Sequence, residues 1–181
     1  VAGAPVSVVG PNAGSLVADA AVVCLDGGSA DISASEVNAQ EVPAGYAVFY
    51  VLTDADNNLE ILNGSLNPEF TVSGAGNYII HTLVYDPNTL DPATAIGLPA
   101  ADVNALLVQG GGSICAALDL TGAPITVEGP EAGSLTSDAS PICLNEQGEA
   151  TISATEANAP VVPAGYLVLY VLTDADNNLE I

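Results

Sequence analysis

The chain has 181 residues, with no lysine or arginine against 22 aspartates and glutamates, and so a formal charge of −22 beside a single histidine. Proteins bind nucleic-acid backbones and anionic lipid surfaces through lysine and arginine, so no nucleic acid is expected as a partner, and no acidic membrane surface. Hydrophobic residues make up 49% of the chain and charged ones only 12%, a balance opposite to that of acidic disordered tails, and a folded chain is predicted.

With no cation to pair with, each carboxylate must be hydrated, hydrogen-bonded or metal-bound, and the summed repulsion is relieved by salt. A salty or calcium-containing setting suits such a chain. No apolar run reaches the roughly 18 residues of a membrane span, so no membrane insertion is expected of this segment.

The chain repeats itself. Val51–Ile61, VLTDADNNLEI, returns unchanged as Val171–Ile181, and Pro43-Ala44-Gly45-Tyr46 returns as Pro163-Ala164-Gly165-Tyr166. Further back, Gly3-Ala4-Pro5 matches Gly122-Ala123-Pro124. The period of about 120 residues is too long for a solenoid unit and has the size of a domain. Residues 62–121 occur once. The organisation expected is the last strand of a preceding repeat in 1–10, a complete repeat in 11–129 and the first half of the next in 130–181.

In chain order, Val6–Val9 and its copy Ile125–Val127 read as the closing strand of a bead. Gly10–Gly14 and Gly129–Gly133 are short proline-stiffened linkers. Ser15–Val17 and Val22–Leu25 are short strands. Ala30–Glu36 alternates, with Ile32 and Ala34 directed inward, as does its copy. Tyr46–Thr53 and Tyr166–Thr173 are nearly continuous apolar runs, the pattern of a central strand covered on both sides. Asp54–Asn58 is read as a turn, Leu59–Leu62 as the returning strand and Asn63-Gly64 as a further turn. Phe70–Ser73 and Tyr78–Tyr85 are strands. Asp86–Pro99 is loop, Ala100–Val108 a short helix ended by Gly110-Gly111-Gly112, and Ile114–Leu120 leads to the last strand. The fold class expected is all-β, with tandem immunoglobulin-like β-sandwich repeats of about 120 residues, each with one short helix.

Asp54, Asp56 and Asn58, with Glu60 beyond, present oxygen ligands at alternate positions, and Asp174, Asp176, Asn178 and Glu180 repeat them. This is how a calcium loop opens, and calcium is the one cofactor the pattern suggests. Leu59 stands where such a loop needs glycine and Ser65 where it needs glutamate, so a plain hairpin tip of turn-forming residues is the competing reading.

Cys24 and Cys143 occupy the same repeat position, and Cys115 completes two cysteines per repeat. That number suggests one disulfide per bead, made in an oxidising compartment. Cys24 with Cys115 would join the beginning and end of one bead, leaving Cys143 to pair beyond this segment. Cys115 with Cys143 would instead staple one bead to the next.

His81 shares a strand face with Ile79, Leu83 and Tyr85 and is read as a packed histidine. No serine lies in a nucleophile-elbow sequence, and no enzyme is expected. Tyr78 after Gly76 has the setting of a tyrosine corner.

The cysteine near the first strand (Cys24, Cys143), the segment YVLTDADNNLEI, the glycine corner SGAGNYIIHTLVY and the closing CAALDLTGAPITV together resemble the tandem immunoglobulin-like repeats of large secreted surface adhesins and gliding-associated proteins of Bacteroidota. Similar repeats often have a cysteine at the glycine corner, where this chain has Asn77-Tyr78. The resemblance implies an extracellular, cell-surface protein without enzyme activity. The function expected is a structural repeat of a long extracellular fibre, giving reach and mechanical continuity. Its partners would be neighbouring repeats and, in a filament, other copies with cations bridging their carboxylates. The alternative is an adhesive module that grips glycans or another cell, for which 4% aromatic residues and no tryptophan give little support.

Overall fold

The computed structural model describes residues 10–163 and 165–174 and the backbone of residues 179–180. The expected strand Val6–Val9 lies outside them. The chain divides into two compact units, with the boundary between Glu128 and Gly129. It is mostly β, 45% strand, with one short helix and several antiparallel and mixed sheets.

The described residues of unit 1 form nine strands: β1 (Ser15–Ala18), β2 (Val22–Cys24), β3 (Ala30–Asn38), β4 (Ala47–Asp54), β5 (Glu60–Ser65), β6 (Glu69–Val72), β7 (Gly76–Tyr85), β8 (Ala116–Leu118) and β9 (Ala123–Glu128). β1, β3 and β6 form one antiparallel sheet. A larger sheet runs β2-β9-β7-β4-β5, with β8 also paired to β7. Within it β2 lies parallel to β9, and the other pairs are antiparallel.

The period-2 pattern of β3 is realised, with Ala30, Ile32 and Ala34 buried and the alternate Asp31 and Ser35 exposed. Its buried face meets the larger sheet. Leu16, Ile32, Phe70 and Val72 from the small sheet pack with Tyr50, Leu52, Ile80, Ile125 and Val127 from the large one. Burying each such side chain stabilises by about 1.5–3 kcal/mol.

The apolar run of β4 is explained by a second core behind it. Val51 faces away from Tyr50 and Leu52 and packs with Ile61, Leu83, Val103, Leu107 and Leu118. The cover is α1 (Ala100–Leu106), which buries Ala100 and Val103 one turn apart. Pro99 sets its start and Asp102 in the first turn suits the helix dipole. The helix stops two residues short of the expected Val108, where the chain tightens into a 3-10 turn at Val108–Gly110.

Asn63-Gly64 is not a turn. Both residues lie inside β5, which continues to Ser65 opposite Tyr50. Glycine is needed there for space, because a Cβ on Gly64 would sit 2.2 Å from the Phe49 ring.

In unit 2, β10 (Ser134–Ser137) and β11 (Ala154–Asn158) repeat the register of β1 and β3, including the irregularity after the first residue of each pair. Gly14 and Gly133, at φ +67° and +69°, pass equally close to the carbonyls of Asn38 and Asn158. A left-handed residue without a side chain is required at both. Leu172–Thr173 and Leu179–Glu180 form a further short pair, β12 and β13.

The pairing also gives the direction of the chain through unit 1. Asn12 exchanges two 3.0 Å backbone hydrogen bonds with Glu41, just after the Asn38 end of β3. Ala47 pairs with Tyr85, so the chain arrives at the Tyr85 end of β7. It leaves at the other, where Gly76 pairs with Val127 and Cys24 with Glu128.

Candidate functional site

The Asp54–Glu60 hairpin tip is held by its own side chains. Asp54 Oδ1 accepts from the Asp56 amide at 2.9 Å, an Asx turn. Asn57 Nδ2 donates to Glu60 Oε2, and the Glu60 amide donates to the Asn57 carbonyl. Asn58 and Leu59 are both left-handed, at φ 53° and 56°. Asparagine tolerates this readily, while leucine does not. The Leu59 side chain is held against the core beneath α1.

Asp56 has its partner outside the tip. It accepts from the Asn77 amide and from Asn77 Nδ2. Asn77 Oδ1 in turn accepts from Thr126 Oγ1 at 2.9 Å, so one side chain ties the hairpin tip to β7 and β9. Composition and spacing gave no sign of its role.

Asp54, Asp56 and Glu60 thus have separate protein partners. Among the described residues no group of three or more histidine, cysteine, aspartate and glutamate side chains is arranged to hold a metal ion. In the second copy Asp176, Asn178 and the Glu180 side chain lie outside the described residues, and Asp174 lies within them.

Hydroxyl groups take the place of the missing cations elsewhere. Asp19 accepts from Ser33 and Ser35, both at 2.6 Å, and these bonds hold its carboxyl below the usual range. Asp138, at the same place in unit 2, is lowered by Ser153 and Thr155. Asp31 accepts from Thr71 across the β3–β6 pair.

The disulfide expected between Cys24 and Cys115 is not formed, and all three cysteines are free thiols. Cys24 lies opposite Glu128 at the Gly76 end of β7, while Cys115 precedes Ala116, the partner of Tyr85 at its other end. Ten residues of strand span about 30 Å, whereas bridged cysteines have Cα atoms within about 7 Å. Joining the first and last parts of the repeat fails as a guide because they lie at opposite ends. Cys115 neighbours Tyr46, whose phenol is pushed up by burial first and by Cys115 second.

His81 is fully buried. Its Nδ1 lies 2.8 Å from the Asp119 carbonyl, which can only accept, so Nδ1 carries the proton. Nε2, at 2.9 Å, then accepts from the Thr53 hydroxyl. Burial lowers the imidazole pKa, against a smaller upward pull from Asp119. Thr53 is also fully buried, so the pair joins β4 to β7 and exposes no nucleophile. Tyr78 donates to the Gly74 carbonyl at 3.1 Å, the bond expected of a tyrosine corner.

No helix among the described residues is long and apolar enough to cross a membrane. No family model matches the chain, and neither does any curated protein or solved structure.

Proposed function

We propose that the chain is a structural segment of a long extracellular fibre at a cell surface, built of head-to-tail immunoglobulin-like β-sandwich beads of about 120 residues. Its work is reach and mechanical continuity. The observation that carries this reading is that the chain comes into unit 1 at one end of β7 and leaves at the other. A domain threaded this way extends an array with every copy added. Between the bond from Leu25 to Glu128 that closes unit 1 and the pair Glu131–Val161 that opens unit 2 stand only Gly129 and Pro130. A two-residue connection containing proline favours a constant step from bead to bead.

The partners in this reading are neighbouring repeats and, in a filament, parallel copies whose carboxylates share bridging cations such as calcium. Electron microscopy of the native assembly tests it. Axial beading with one bead per repeat is expected, and isolated globular particles without beading would overturn it.

A further inference from the structure

Thr82 is fully buried, yet its hydroxyl has no hydrogen-bond partner, and neither does the buried Oδ2 of Asp119. The two residues stand side by side. The Asp119 amide donates to the Thr82 carbonyl at 3.0 Å, one step beyond the pairing of Leu83 with Leu118, so both side chains leave the β7–β8 pair on the same face. A threonine hydroxyl in reach of a carboxylate donates to it, and these two do not bond to each other. The rest of Asp119 is held in place. Its Oδ1 accepts from the Thr121 amide at 3.0 Å, and its carbonyl lies 2.8 Å from His81 Nδ1. Asp119 also borders a cavity of about 540 Å³ that Asn12 and Glu41 line too.

We propose that Asp119 Oδ2 and Thr82 Oγ1 are ligands of a calcium ion that enters from this cavity, with Glu41 supplying the second carboxylate. A buried carboxylate oxygen needs a donor or a cation beside it. The chain has no lysine or arginine to provide either, so the cation comes from solution. Every group offered is an oxygen. Calcium accepts such mixed sets of carboxylate, neutral oxygen and water in flexible geometry, whereas magnesium demands a near-ideal octahedron and keeps its own water. The Asp54–Glu60 tip is a poorer host, because Asp54, Asp56 and Glu60 each already accept from an amide or an asparagine side chain. The bound ion would tie the Asn12–Glu41 bridge, where the chain enters unit 1, to the β7–β8 pair. The site does not depend on the fibre reading, since it is built within unit 1.

The test is isothermal titration of the 181-residue chain with calcium chloride in about 0.15 M NaCl, which screens loose attraction to the other carboxylates. Saturable binding is expected, with one calcium per chain, because Thr82 and Asp119 lie in the stretch that occurs once. Asp119→Asn should weaken it at least about tenfold, since it removes one of the two ligand charges. Thr82→Val should weaken it too, while leaving the calcium-free thermal midpoint unchanged or higher, because an apolar group of the same shape replaces an unpaired hydroxyl. That variant decides the matter where Asp119→Asn disturbs the fold. Asp54→Asn, at the hairpin tip, should leave the affinity unchanged. Absence of saturable binding, full affinity in Thr82→Val, or loss of binding in Asp54→Asn would each overturn the proposal.

Discussion

Asn77 and Asp56 are joined by three hydrogen bonds, one from the Asn77 amide at 3.2 Å and two from its Nδ2 at 3.1 and 3.2 Å. The contact spans 21 positions and fixes the β4–β5 tip to the start of β7. Asn77→Ala should cost about 1 kcal/mol, the net worth of such bonds at an exposed site. Asn77→Asp should cost more in low salt, because it sets a second carboxylate against Asp56. The difference between the two variants should shrink in 1 M NaCl as screening grows. Urea denaturation at both salt concentrations measures this, and an unchanged difference would remove Asp56 as the partner.

His81 makes stability depend on pH in a definite direction. Its folded pKa lies below the ordinary 6.5 because burial disfavours the charged ring. The unfolded chain therefore takes up the proton first. The stabilisation is complete above pH 6.5 and declines as pH falls through 6.5 toward the folded value. The ring resonances of His81 in NMR should remain those of the Nδ1-protonated neutral form at pH 6.5. A ring already half charged there would contradict the buried arrangement with Thr53.

Gly64→Ala tests the packing of β5 on Phe49. The Phe49 ring stands edge-on to Tyr85, with centroids 6.4 Å apart, and has little room to move away from Gly64. Overpacking of this kind costs about 1–3 kcal/mol. Phe49→Leu in the same chain should recover part of the loss, and thermal denaturation of the two single variants and the double variant gives the coupling. Full additivity would mean that the two side chains do not compete for the space.

The three thiols give the simplest measurement. In the native 181-residue chain, Cys115 and Cys143 should react readily with a maleimide, and Cys24, partly covered, more slowly. A reducing agent should leave the thermal midpoint of unit 1 unchanged. A midpoint lowered by the several degrees expected from losing a disulfide would require Cys24 and Cys115 to meet, contrary to their positions on β7.

What could be read from sequence was whatever depends on near neighbours. The alternation of Ala30, Ile32 and Ala34 marked the buried face of β3, and the unbroken apolar run of β4 anticipated a core on each side of it. Pro99 and the glycines after Val108 bracketed the helix to within two residues. The failures came where distant partners decide. Asn63-Gly64 has the composition of a turn, but the ring of Phe49 on the neighbouring strand makes it part of β5. The spacing of Asp54, Asp56 and Glu60 shows nothing of Asn77, the distant side chain that bonds Asp56. The Cys24–Cys115 pairing depended on which end of a sheet each strand reaches, and that is set by topology.

The route of the chain through unit 1 has a mechanical consequence. A load applied through Asn12 and Glu128 pulls β9 along its own length, against the antiparallel β7 on one side and the parallel β2 on the other. The hydrogen bonds of both pairs are then strained in shear, all together, and cannot be peeled open one at a time. Resistance of that kind grows with the number of paired residues and needs no covalent lock, which suits a unit whose Cys24 and Cys115 stand too far apart to provide one.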